Sequence, residues 1–315
     1  MKEIQYLNII KNTLHKTQYL GDDSAYLEDL GIYVTHDTLV EDVHFSLKTT
    51  NAQDLGYKSI AINLSDLAAS ASKPLYLTVS LSLPGQVYDT DEKFVKEFYQ
   101  GVDKICEKYN IEVIGGDLTG SDKIVISICA IGKKVSKYNV SRSYAKSGDY
   151  IVVTGTHGDS CAGLKSFPAT NEFTRKHIRP EPKIEEGLLL AKSAMGDFAL
   201  MDSSDGLADA LYKISQSSKA KLVVDFNTIP VNPNLKRAFP NEYKDMALWG
   251  GEDFELVACV NEETFKELSK FNRAKFYCIG RVEEGNDVLI KDGDSHIIDE
   301  TEFNKKSYKH FKENP

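Results

Sequence analysis

Cysteine is scarce and scattered in this chain. Its five cysteines (Cys106, Cys129, Cys161, Cys259, Cys278) never form a CxxC pair, which excludes a disulfide framework and a cysteine-based zinc site. Three of them lie in strand-like apolar runs, where a thiol packs as a small hydrophobe, so a reducing, cytoplasmic location is expected. No apolar run approaches the roughly 18 residues needed to cross a bilayer, and no membrane partner is expected. The opening Met-Lys-Glu-Ile-Gln-Tyr shows neither the apolar stretch nor the cleavage site of a signal peptide. Positive charge is in deficit: Lys plus Arg is 38 against 47 for Asp plus Glu, a formal charge of −9. Without a basic footprint, nucleic acid is not an expected partner. Any bound anion must be held by local devices such as metal ions, single arginines or backbone amides. The signatures GxxxxGK[ST], GxGxxG after a strand, HRD with DFG, GxSxG and HExxH are all missing. That excludes a P-loop, a Rossmann turn and the protein-kinase fold.

What is present is ordinary globular composition, 41% hydrophobic and 27% charged, which argues against disorder. At roughly 150 residues per domain, 315 residues suggest two domains. Residues 75–83 (LYLTVSLSL) alternate with Leu75, Leu77, Val79, Leu81 and Leu83 on one face, a strand closed by Pro84-Gly85. Residues 90–108 predict a helix with Thr90 as N-cap, Asp91 and Glu92 in its first turn, and a stripe of Phe94, Val95, Phe98, Val102 and Ile105. A further helix is expected at about 54–71, with strands at 31–35, 111–115 and 123–132. A basic connector follows Gly132. Beyond it the pattern predicts strands near 150–154, 221–226, 254–260 and 275–281, and helices near 158–167, 182–195 and 205–217. Strands alternate with helices in both halves, so the expected class is α/β (α+β) in two domains, 1–137 and 138–315.

The aspartates carry the chemistry. Asp22 and Asp23 follow Gly21 in a turn; Asp37 ends one predicted strand and Asp117 another. Asp66 lies mid-helix beside an apolar stripe, and Asp202 and Asp205 bracket the start of a helix. Singly, most have a plain structural account: Asp22 as a turn residue, Asp205 as an N-cap. Asp66 has the weakest such account, because an unpaired carboxylate near an apolar stripe is costly. Together they would repel one another unless cations held them, and oxygen donors of this kind suit Mg²⁺.

In order along the chain stand GDDSAYL (21–27), THDTLVEDVHF (35–45), GYKSIAINLSDLAASASKPLYLTVSLSLP (56–84) and VIGGDLTG (113–120). SRSYAKSGDYIVVTGTHGDSCAGL (141–164), RPEPKI (179–184), MDSSDGLADAL (201–211), WGGEDFEL (249–256) and SYKHF (307–311) follow. With these strings the chain resembles the thiamine-monophosphate kinase family, within the aminoimidazole ribonucleotide synthetase superfamily. The resemblance implies ATP-dependent phosphorylation of thiamine monophosphate to thiamine diphosphate with several Mg²⁺ ions. It also implies a homodimer whose N-terminal mixed sheets join into a barrel, each with a C-terminal α/β domain alongside.

Carried over by position, Asp23, Thr35, His36, Asp37, Asp66, Asp117, Asp202 and Asp205 are the implied metal residues. Gly116, Asp117, Arg142, Ser204 and Tyr99 are implied at ATP, and His44, Glu252 and Tyr308 at the thiamine phosphate. Asp37, Asp117 and Arg142 are the implied catalytic set. The chain departs from the family pattern twice: Thr35-His36-Asp37 stands for Ser-Thr-Asp, and Ser307-Tyr308-Lys309-His310-Phe311 for GYDHF. The chemistry agrees with the residues. An ionised phosphate acceptor needs no strong base, so metals and positioning carry the transfer, with Arg142 as a bidentate phosphate donor. A carboxylate and an aromatic face suit the thiazolium cation.

Sister enzymes on the same scaffold fit less well. A selenophosphate synthetase needs a reactive cysteine or selenocysteine near the start, and a hydrogenase-maturation protein one at the end; residues 1–20 and the closing Lys-Glu-Asn-Pro hold neither. A non-enzymatic cation- or nucleotide-binding protein is the rival from another class. It is separated from the kinase by turnover that requires thiamine monophosphate.

Overall fold

The computed structural model describes residues 2–85, 91–271 and 276–310. The first half runs α1 (Lys2–Thr13), β1 (Ala25–Leu27), β2 (Ile32–Val40), α2 (Ala52–Ala69), β3 (Ser72–Leu83), α3 (Asp91–Tyr109), β4 (Glu112–Gly120) and β5 (Val125–Lys134). Its strands form one sheet in the order β1-β2-β5-β3-β4, antiparallel except for β3 with β4. On β3 the expected alternation holds at Leu77, Val79 and Leu81, all buried. The register against β5 slips between Pro74 and Tyr76, so Leu75 is an extra, half-buried residue there. The α3 stripe is also as expected, with Phe94, Phe98, Val102 and Ile105 buried. Thr90, its expected N-cap, lies outside the described residues.

Two expected strand ends prove to be strand middles. β2 continues through Asp37 to Val40, because each of its residues from Ile32 to Val40 pairs with β5. β4 continues through Asp117 to Gly120 against β3. Pairing with a neighbour outweighs the weak strand preference of Asp and Gly.

One face of this sheet carries α2 and α3. Those helices touch backbone to backbone: a methyl at Gly56 would meet the Phe98 carbonyl oxygen at 2.0 Å, and one at Gly101 that of Gln53 at 1.9 Å. α2 is buried nearly all round, including Lys58, Ser59, Asn63 and Ser65. It is sandwiched between the first sheet and the second half of the chain, which it meets at α6 and β7 (ranges below). A helix buried on every side shows no single apolar stripe.

The second half runs β6 (Tyr150–Thr154), α4 (Asp159–Ser166), α5 (Glu172–Ile178), α6 (Ile184–Ser193), β7 (Ala199–Asp202), α7 (Leu207–Ser218) and β8 (Lys221–Asp225). It continues with α8 (Pro233–Ala238), α9 (Tyr243–Trp249), β9 (Leu256–Val260), α10 (Glu262–Leu268), β10 (Phe276–Glu283), β11 (Val288–Asp292), β12 (Asp294–Ile298) and α11 (Glu300–Lys306). The strands form a sheet in the order β12-β11-β8-β10-β6-β9-β7. Its central strands are buried on both faces, hence their unbroken apolar runs. Val152, Leu256 and Ala258 join the core around α2; Ile151, Val153 and Val257 join a second core under α7. The chain is thus a mixed α/β protein of two sheets.

Candidate active site

Four carboxylates converge from four elements on the seam between the sheets. Thr35 and Asp37 are on the face of β2 that meets α2, in line with buried Tyr33 and Leu39. Asp66 comes from the last turn of α2, Asp202 from the last residue of β7, and Asp23 from the turn after Gly21. Short hydrogen bonds fix them. Thr35 Oγ1 donates to Asp66 Oδ2 at 2.5 Å, the Asp37 amide donates to Asn63 Oδ1 at 3.1 Å, and Ser65 Oγ donates to Asp202 Oδ2 at 2.5 Å. Arg142, from the connector, donates through Nη2 to Asp23 Oδ1 at 2.5 Å and lies 3.4 Å from Asp22 Oδ1 through Nε. Asp22, the expected turn residue, therefore also serves Arg142.

These carboxylates raise one another's affinity for protons. Burial pushes Asp23 up to about 8, with Asp202 and Asp22 adding to it against the opposing pull of Arg142. Burial, then Asp202 and Asp205, push Asp37 up to about 6. Asp66 is raised by burial and by Asp37, Asp202 and Asp23, and Asp202 by burial above all. Asp23 Oδ2 is buried with no hydrogen-bond partner. Among the described residues no three His, Cys, Asp or Glu side chains close into a ready-made metal cage. The array is open, built of oxygen donors, and holds more negative charge than Arg142 balances. That is the donor chemistry of Mg²⁺, which keeps positions for water and phosphate oxygens.

Beside the array opens a cavity of about 730 Å³, into which Asp37, Asp66, Ser204 and Asp205 face. Asp205 pairs with Lys213 at 3.1 Å, and that lysine also holds Asp209 at 2.7 Å. The N-cap of α7 is Gly206, so Asp205 is free of that duty. The same cavity is lined by His44, Glu252 and Tyr308. His44 Nδ1 accepts from the Val40 amide at 2.9 Å, and burial with the nearby His310 holds its pKa below the ordinary value. The His310 ring stands 5.4 Å from His44 and edge-on to Tyr308 at 4.9 Å. Glu252, at φ 66°, pairs with Lys58 at 2.9 Å and contacts His177 at 3.1 Å.

Four of the site residues expected from sequence stand apart within one chain. His36 points its side chain to the other face of the sheet. Asp117 shares that other face, in the row Thr38–Ser127–Ser80–Asp117, three strands from β2 and about 14 Å away. Gly116 sits beside it on the exposed edge strand β4. Tyr99, on α3, packs on Phe98 at 5.4 Å. Lys58, His177, Trp249, Lys306 and His310 line the cavity without having been singled out in the sequence.

Known proteins are similar to this chain in sequence and fold. Residues 21–133 match the AIR synthase related protein, N-terminal domain, and residues 146–292 the corresponding C-terminal domain. The thiamine-monophosphate kinase of Bacillus subtilis (strain 168) is 35% identical over 327 residues, spanning 97% of this chain and 98% of its own. The chain belongs to the thiamine-monophosphate kinase family. The Escherichia coli O157:H7 family member is 34% identical over 310 residues, with 93% and 91% covered. Among solved structures, AaThiL complexed with AMPPCP and TMP superposes with a TM-score of 0.81 at 32% identity, covering 92% of this chain and 94% of that one. No helix among the described residues is long and apolar enough to cross a membrane.

Proposed function

We propose that this chain phosphorylates thiamine monophosphate to thiamine diphosphate with ATP, by direct in-line transfer and without a phosphoenzyme. The observation that carries the reading is one cavity lined both by the carboxylates Asp37, Asp66 and Asp205 and by Glu252, His44 and Tyr308. The family membership and the AMPPCP–TMP complex of the relative support it.

The acidic end gathers Asp23, Asp37, Asp66, Asp202 and Asp205, with Thr35 and the His36 backbone oxygen beside them, as the residues that would hold several Mg²⁺ ions. Those ions supply charge neutralisation between two anionic phosphates. Arg142 is half of the remaining compensation: its fork can leave Asp22 and Asp23 for a phosphate oxygen when their charge is taken up elsewhere. Ser204 is assigned to the nucleotide; Gly116, Asp117 and Tyr99, which stand apart from it within one chain, are assigned to the nucleotide only in a composite site. In the same cavity Glu252 would pair with the thiazolium cation, with the Tyr308 ring and His44 as its neighbours. Holding the acceptor phosphate in line with the donor replaces the work of a general base, since that oxygen is already ionised.

The division at 137 and 138 is the proposed domain boundary, and the functional unit is proposed to be a cytoplasmic homodimer. β4 is an open sheet edge with Val113, Ile114 and Leu118 exposed. The open face carries Thr38, Ser127, Thr78 and Ser80, small polar residues suited to a closed barrel interior. Joining two such sheets into a barrel covers these edges and offers Asp117 a place in a composite site.

Purified protein with ATP, Mg²⁺ and thiamine monophosphate, with thiamine or no acceptor as controls, tests the reading. Thiamine diphosphate forming in step with ADP and lost with EDTA is expected. ADP without thiamine diphosphate points to another acceptor on this scaffold.

A further inference from the structure

Lys58 is among the fully buried side chains and is only 2% exposed, an unusual place for an ammonium group. Its ion pair is with Glu252 Oε1 at 2.9 Å. Lys58 is planted on α2, whose backbone is fixed on all sides. Glu252 is clamped too: its amide donates to the Ser204 carbonyl at 2.7 Å. The next residue, Asp253, accepts from the Gly158 and Ser160 amides at 2.5 and 2.8 Å at the start of α4. A methyl at Gly251 would approach the Ser204 carbonyl oxygen to 2.9 Å, so the loop lies flat on that strand end. His177 Nδ1, 3.1 Å from Glu252 Oε2 and 3.0 Å from Ser160 Oγ, completes the frame.

The exposures differ along the pair. Both residues border the cavity, but Glu252 is 30% exposed and Lys58 only 2%. The pair is therefore a fixed dipole whose negative end is the more open one. Burial pushes Glu252 up, and the Lys58 ammonium above all more than reverses this and holds it below its ordinary value. His177 itself is pushed down to about 4 by burial and by Lys58, and so is neutral near neutral pH.

We infer that Lys58 is a positioning residue that aims Glu252 and keeps it anionic, so that the cavity selects an acceptor with a cationic ring. This rests on the proposed acceptor reading of the cavity. Lys58 acts through Glu252, not on the acceptor's phosphate.

The experiment compares thiamine monophosphate with its neutral thiophene isostere in wild type, K58M, K58R, E252Q and the double variant K58M/E252Q. Wild type is expected to prefer the cationic acceptor. K58M is expected to raise KM for thiamine monophosphate roughly 30-fold or more, the scale of unpairing one partner of a buried charge pair, with KM for ATP unchanged. K58R restores most of the preference. The double variant carries neither buried charge and so folds even if K58M does not; it is expected to match E252Q in the ratio of kcat/KM between the two acceptors. A double variant that loses much more than E252Q would show Lys58 acting independently, and overturns the inference. So does a wild type that turns over both acceptors equally. No thiamine diphosphate from wild type at all would instead defeat the acceptor reading itself.

Discussion

Ser65 on α2 donates its hydroxyl to Asp202 at the end of β7, 2.5 Å away and shut off from water, and so ties the first sheet's helix to the second sheet's edge strand. Asp202 has few other donors: the Ser204 amide lies 3.3 Å from its second oxygen. Ser65→Ala removes the better bond and leaves a buried carboxylate oxygen unpaired, at a cost of about 1.5–3 kcal/mol. Urea unfolding in EDTA is expected to show that loss. A change below 0.5 kcal/mol, on the order of a surface substitution, would mean that the bond does not hold the seam.

Asp37 separates activity from stability. It is a member of a mutually repelling set, pushed up to about 6 by burial and by Asp202 and Asp205. Asp37→Asn removes one repelling charge while keeping the shape, so the ion-free protein should melt no lower than wild type. Turnover of thiamine monophosphate should fall about 10²–10³-fold, the scale of losing one preorganised electrostatic group. Near-normal turnover at saturating Mg²⁺ would remove Asp37 from the machinery.

Much of this was legible in the sequence, for identifiable reasons. The face of Leu77, Val79 and Leu81 and the stripe of Phe94, Phe98, Val102 and Ile105 are simple periodic signals, and both are buried as expected. Asp37, Asp66, Ser204, Asp205, His44, Glu252 and Tyr308 reach one cavity. The role of Lys58 was hidden because α2 is buried all round, so a cation inside it interrupts no pattern. The isolation of Asp117 was hidden because it depends on strand order and side-chain parity. Asp37 and Asp117 each sit mid-strand, but on opposite faces and three strands apart. Small elements such as β1, of 3 residues, and β7, of 4, are held by their neighbours and leave little local pattern.

The pH dependence of stability should invert with Mg²⁺. Asp23 binds its proton with a pKa of about 8 in the fold, far above the ordinary carboxylate value. The folded chain therefore holds a proton that the unfolded chain has lost above about pH 4, and this group's stabilisation declines from there and is gone once pH passes about 8. His157 and His177, held down at about 3 and about 4 by burial, act in the opposite sense but only below about 6.5, where the unfolded imidazole titrates. In EDTA the melting temperature should thus drop between pH 7 and 9, and excess Mg²⁺ should raise it most at the upper end. A melting temperature in EDTA that climbs over that interval contradicts the charge state assigned to Asp23.

Asp117 supplies the sharpest test of the composite site. It lies on the exposed edge strand β4, on the sheet face opposite Asp37 and about 14 Å distant by strand count. If it serves catalysis, it does so from a second copy paired at that edge. Asp37→Asn and Asp117→Asn homodimers should then each be nearly inactive. In a mixed dimer one of the two sites would combine the intact Asp37 of one subunit with the intact Asp117 of the other. Random assortment makes half of all dimers mixed, so co-refolding equal amounts of the two variants should restore about a quarter of wild-type turnover, the expectation for a two-fold symmetric pair. Recovery should scale with the mixed-dimer fraction resolved by differently tagged subunits. No recovery in a preparation shown to contain mixed dimers would place Asp117 outside the reaction or return both aspartates to a single subunit's site, against the sheet order described above.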